Sequence, residues 1–81
     1  MKRIVWTELA KADIRHLDKP TAMRVFTGLH RFAESGEGDV KALTGREELR
    51  LRIGDHRLFF VTTSPDMIEI RRVLHRREAY R

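Results

Sequence analysis

The sequence predicts an α+β domain: an N-terminal strand, an antiparallel helix hairpin, then an antiparallel three-stranded meander forming one sheet packed against the helices. Three observations carry the prediction. Apolar residues recur with a period near 3.6 as far as Ala33, and with a period of two from Glu48 onward. Pro20 and Ser35-Gly36 punctuate the first half as helix boundaries. Gly54-Asp55 and Ser64-Pro65-Asp66 punctuate the second half as turns between strands.

Each element follows from local chemistry. Ile4-Val5-Trp6 is a short β-prone run, and Thr7 then caps a helix whose first turn carries Glu8, well placed against the helix dipole. Leu9, Ala12 or Asp13, and Leu17 form its apolar stripe, widened by Ile14, and Asp18 with Pro20 ends it. Pro20 suits the first turn of a second helix, in which Ala22, Val25, Phe26, Leu29, Phe32 and Ala33 share one face. Helices joined this tightly lie antiparallel and need a sheet to cover their apolar faces. Residues 36–46, with three glycines, read as a loop tethered by Val40 and Leu43. Leu49, Leu51 and Ile53 then alternate with Arg50 and Arg52, Gly54-Asp55 turns the chain, and His56 to Thr63 run back. Met67 to Leu74 form the last strand, whose alternation slips at Arg71-Arg72, the mark of a bulge. Trp6, Phe26, Phe32 and Phe60 are expected in the core.

Length and charge bound the function. Eighty-one residues make a single domain, 1–81, and a chain of this size buries only ~60 to 65% of its unfolded surface. Its function therefore belongs on a surface or in a shallow concavity. Seventeen Lys and Arg against twelve Asp and Glu give +5, which points to a polyanion or an acidic protein as partner. Residues 46–81 carry nine basic side chains, and all nine are Arg. Guanidinium forks bind carboxylate and phosphate bidentately, so this bias favours planar anion recognition over solubility alone. There is no cysteine, and the four His are scattered, so no cofactor or metal is implied. With no apolar run of signal-peptide or membrane-spanning type, a cytoplasmic location is expected.

The chemistry concentrates at the end. His75-Arg76-Arg77-Glu78-Ala79-Tyr80-Arg81 places two titratable rings among three guanidinium groups. If Gly54-Asp55 is a two-residue turn, Ile53 pairs with His56, Arg52 with Arg57, Leu51 with Leu58 and Arg50 with Phe59. Leu49, Leu51, Leu58 and Phe60 then face the helices, while Arg50, Arg52 and Arg57 share the other face beside Phe59. Facing arginines repel unless an anion or carboxylate compensates them. Hairpin geometry also returns Val73 to Arg76 beside Arg57, so the tail and the Arg face are expected to meet.

The order of elements, with Leu49-Arg50-Leu51-Arg52-Ile53-Gly54-Asp55-His56-Arg57-Leu58 and Val73-Leu74-His75-Arg76-Arg77-Glu78-Ala79-Tyr80, resembles the RelE/ParE superfamily of bacterial type II toxins over nearly the whole chain. The tail is more similar to the RelE branch, which cleaves messenger RNA in the ribosomal decoding site, than to the ParE branch, which poisons DNA gyrase. The resemblance implies an mRNA interferase working by metal-independent attack of a ribose 2′-hydroxyl on the adjacent phosphate. A ParE-like gyrase inhibitor without nuclease activity is the alternative. Arg57, Arg76, Tyr80 and His75 are the implied catalytic residues, with Arg50, Arg52, Arg77, Arg81 and Phe59 contacting RNA. Arg57 and Arg76 would hold the phosphate as charge builds in the transition state. Tyr80 would act as base or stack on a nucleobase, and His75 as acid or base. Glu48 and His75 stand where the best-known members carry lysines, and Glu48 either weakens RNA engagement or serves as a base. The implied partners are the ribosome with its mRNA and a cognate antitoxin, through which the complex would bind operator DNA. Replacing Arg57 or Arg76 by Ala is expected to abolish toxicity and leave the fold intact.

Overall fold

The computed structural model describes residues 1–79. The expectations for Tyr80 and Arg81 fall outside them. The period change at Glu48 divides the fold. Before it come β1 (Arg3–Trp6), α1 (Glu8–Arg15), α2 (Lys19–Ser35) and β2 (Asp39–Ala42). After it come β3 (Leu49–Ile53), β4 (His56–Ser64), β5 (Met67–His75) and a terminal turn of helix, α3 (Arg76–Ala79). The sheet has five strands in the order β1-β5-β4-β3-β2, antiparallel except where β1 runs parallel to β5.

The helices begin and end where local chemistry directs. Thr7 caps α1 by accepting the Ala10 N–H. Gly36 closes α2 with φ 79°, a left-handed conformation that side-chain-bearing residues avoid, and its N–H donates to the Phe32 carbonyl. The inner face of the sheet meets both helices around Ala10, Val25, Leu29, Ala33, Leu51, Leu58, Phe60, Ile68, Ile70 and Val73.

Three expectations about packing are corrected. Leu9 is not part of the α1 stripe: it is 62% exposed, and Ala10, Ile14 and Leu17 pack instead. Ala10 and Ile14 share a face of α1 at helical spacing, and Leu17 packs just beyond the helix end. Phe26 is 40% exposed rather than core, meeting Trp6 edge to face at 5.6 Å on the open side of the helix hairpin. Residues 39–42 are not loop but an edge strand. Asp39-Val40-Lys41-Ala42 has little β-propensity of its own, and β3 supplies the ladder, pairing Asp39 with Arg52 and Ala42 with Leu49.

The β3–β4 hairpin has the register that its turn dictates. Gly54 takes φ 58° while Asp55 stays at negative φ, so glycine stands at the first turn position, where a II′ turn needs it. Ile53 then pairs with His56, Arg52 with Arg57 and Arg50 with Phe59. Between β4 and β5 the register shifts at Thr62/Ser64, near the turn, and at Phe59/Phe60, where Arg72 and Ile70 are the successive partners and Arg71 is skipped. The slip in the sequence pattern is therefore a bulge at Arg71.

β1 ends at Trp6, leaving the second half of β5 without a neighbouring strand on that side. α1 covers this edge, and Asp13 satisfies it. Its carboxylate accepts the Val73 N–H at 2.8 Å and both Nε and Nη2 of Arg72 at 2.9 and 3.0 Å. Burial alone would raise the Asp13 pKa, but the bonds to Arg72 and Val73 and the positive charge of Arg72 outweigh it and hold the carboxyl below its ordinary range. The same pairing raises Arg72.

Candidate functional site

On the sheet face away from the helices, alternation along three strands gathers charge. β4 contributes Arg57, β3 contributes Arg50 and Arg52, and β2 contributes Asp39 and Lys41. Together they line a polar concavity of about 60 Å³, room for roughly two water molecules and so for one small anionic group. Four basic side chains stand against one acid there. Lys41 and Asp39 were not anticipated, because their strand was read as loop. The only sequence signal was the short alternation of Asp39 and Lys41 about Val40.

Arg57 is the anchor of this face. It is 7% exposed, and its Nη1 donates to the Gly54 and His56 carbonyls at 3.0 and 3.1 Å. The same side chain lines the concavity. Bracing the turn also gives Arg57 a structural task beside its expected contact with RNA. Facing Arg52 across the hairpin, it keeps two like charges in register, with Asp39 the carboxylate opposite Arg52 on the far strand.

Phe59 is not an open stacking platform. It is 5% exposed, with the Arg46 guanidinium 5.7 Å above its ring centre. Arg46 is in turn ion-paired with Glu48. Glu48 thus holds the cation that covers Phe59. Arg71, the bulged residue, bonds Glu69 at 2.9 Å and reaches Glu47 at 4.0 Å.

The tail residues separate. His75 pairs with His56, and the parity of β4 puts both rings on the helix side of the sheet, opposite to Arg57. The rings meet edge to face at 5.4 Å in a cavity of about 290 Å³ that Thr21, Arg24, Val25, Ile53, Gly54 and Asp55 also line. His75 is therefore not brought to the Arg50-Arg52-Arg57 concavity. Burial first, then the neighbouring His75, lowers the pKa of His56 from its ordinary value, against the opposing pull of Asp55 and Glu78. Arg76 hangs on the β3–β4 turn: its N–H donates to the Asp55 carbonyl at 2.7 Å, and its Nε lies 3.8 Å from Asp55 Oδ1. Its side chain is 57% exposed. Arg77 is exposed on α3. The return of the tail to the Arg57 hairpin is thus real at the backbone, where Leu74 is the partner of Arg57.

Several solved structures with this architecture are toxins in complex with antitoxins. The RelB-RelE antitoxin–toxin complex from Methanococcus jannaschii is similar at a TM-score of 0.74 and 23% identity, with 94% of each chain covered. The archaeal RelE-RelB complex from Pyrococcus horikoshii gives 0.74 and 20%, covering 93% of this chain and 94% of that one. The YoeB-YefM complex from Staphylococcus aureus gives 0.73 and 18%, covering 93% and 97%. No curated protein sequence matches the chain. The family model described as ParE toxin of type II toxin-antitoxin system, parDE, matches residues 4–80. With all but Met1 to Arg3 and Arg81 inside that match, this chain belongs to the ParE toxins of type II toxin-antitoxin systems, within the RelE/ParE superfamily.

Proposed function

We propose that this toxin is a ribosome-dependent endoribonuclease, cleaving messenger RNA by attack of a ribose 2′-hydroxyl on the adjacent phosphate. The observation that carries the reading is the concavity of Arg50, Arg52, Arg57 and Lys41, a dense cluster of cations with room for one small anionic group. Arg57 is fixed there by the turn carbonyls, so little side-chain freedom is lost when its other donors engage a phosphate oxygen. A preorganised donor of this kind contributes roughly 3 to 4 kcal/mol to a transition state that gains charge. Arg76, held by Asp55, supplies a second guanidinium, and Tyr80 is the proposed base. His75, on the opposite face of the sheet, is left out of the reacting set.

A cognate antitoxin holds the toxin inactive in this reading. The solved neighbours are toxin–antitoxin complexes, and a groove of Trp6, Ile14 and Phe26 flanked by Lys11 and Arg15 suits an amphipathic acidic segment. The second reading, a gyrase inhibitor without nuclease activity, is favoured by the match to the ParE family model. Induced expression separates the two. Rapid loss of translation with intact chromosomes is expected; DNA breaks and filamentation with intact messages would support the gyrase reading instead.

A further inference from the structure

His75 does something the concavity does not use. It is the last residue of β5, and α3 starts immediately after it. Its Nδ1 lies 3.2 Å from the Arg77 nitrogen and accepts that N–H. This is the geometry of a helix N-cap, in which a side chain at the residue before the helix takes the N–H of the second helical residue. Asn, Asp, Ser and Thr usually do this. An imidazole does it only while Nδ1 carries no proton, which requires the neutral ring with its hydrogen on Nε2.

The surroundings make that state matter. The His56 ring stands edge to face against His75 from β4. Asp55 approaches from the β3–β4 turn, and Thr21 and Arg24 face the pair from α2 across the shared cavity. Glu78 acts on His56 from α3, while Arg57 adds its charge to His56 from the next position on β4. A second protonated ring in this pair meets a charged neighbour.

We propose that His75 is a positioning residue, a proton-sensitive N-cap that sets the terminal helix carrying Arg76 toward the β3–β4 turn. With the ring neutral, Nδ1 holds the Arg77 N–H while Asp55 holds the Arg76 N–H, so two successive amides are fixed. A proton on Nδ1 turns the acceptor into a donor aimed at another donor, and the cap is lost. The chain after Arg76 then loosens although β5 stays paired. The consequence for toxicity rests on the proposed nuclease reading, because it assigns Arg76 and Tyr80 to the RNA; the cap itself does not.

NMR of the full chain tests it, using Arg77 amide protection and Cα shifts of residues 76–79 at pH 8 and pH 5, which bracket the ordinary imidazole range. Protection is corrected for intrinsic exchange. In the unsubstituted chain at pH 8, imidazole ¹⁵N shifts should show the Nε2–H tautomer at His75. Acidification to pH 5 should lower Arg77 protection about five-fold, the scale of a lost N-cap. His75→Asn, which caps without titrating, should keep α3 at both pH values, and His75→Ala should lack it at both. Equal protection at pH 5 and pH 8, or a His75→Ala tail identical to the unsubstituted one at pH 8, would overturn the proposal. If the tail responds as expected while no variant cuts RNA, the cap stands and only the nuclease reading falls.

Discussion

Two side chains, Asp13 on α1 and Arg57 on β4, show how single residues set this molecule. Asp13 closes the edge that β1 leaves open, with one N–H and one guanidinium on the same carboxylate. Truncating it strands the Val73 N–H and a half-buried arginine, so Asp13→Ala should cost about 2 kcal/mol in urea denaturation. The pH dependence has a definite sign. Because the folded carboxyl titrates below its ordinary 3.8, its contribution is complete above that value and disappears as pH falls through the lower folded pKa. Acid unfolding of Asp13→Ala should therefore lose the part of the transition below pH 3.8 that the unsubstituted chain shows. Arg57 has two tasks, bracing Gly54 and His56 and facing the concavity. Arg57→Lys keeps the charge but not the fork, so it should lower toxicity at equal expression with a stability loss of about 1 kcal/mol.

At the scale of elements, α2 rests on β3 through a glycine. A Cβ at Gly28 would lie 2.9 to 3.0 Å from three carbons of the Ile53 side chain. In an open helix Gly→Ala gains about 1 kcal/mol, but here overpacking of 1 to 3 kcal/mol opposes it. Gly28→Ala should therefore fail to stabilise and lower the urea midpoint, whereas a rise would show that α2 sits off β3. The elements also differ in how well the sequence announced them. The β3–β4 hairpin was legible to the residue, because a two-residue turn leaves one register and the alternation of Leu and Arg leaves one choice of face. β2 was not, because its strand state comes from the open edge of β3 rather than from its own residues. The bulge at Arg71 was visible as a slip in pattern, but its effect on parity was not. That parity decides the site: it sends His75 to the helix side with His56, while Arg50, Arg52 and Arg57 keep the face their alternation predicted. Phe59 misled for a related reason. Its face was read correctly, but the Arg46 and Glu48 pair that covers it comes from a loop whose path no periodicity encodes.

For the whole molecule, one sheet keeps two chemistries apart. The helix side holds the apolar core, and the far side concentrates guanidinium groups that the second half of the chain uses to the exclusion of lysine. Under the proposed reading, a net charge of +5 would draw an RNA from a distance and the concavity of Arg50, Arg52 and Arg57 would take a phosphate at contact. Membership of the ParE toxin family and the RelE-like fold agree on a toxin and leave the chemistry to the residues. The central claim is that those arginines act on RNA together with Tyr80. Mapping the 5′ ends of messages after induction, for the unsubstituted chain and for Arg57→Lys and Tyr80→Phe at matched expression, tests it most directly. The account predicts new ends at fixed positions within codons, reduced at least ten-fold by either substitution, a loss of ~1.4 kcal/mol or more in transition-state stabilisation. An unchanged pattern of 5′ ends, alongside growth arrest that both variants retain, would contradict it.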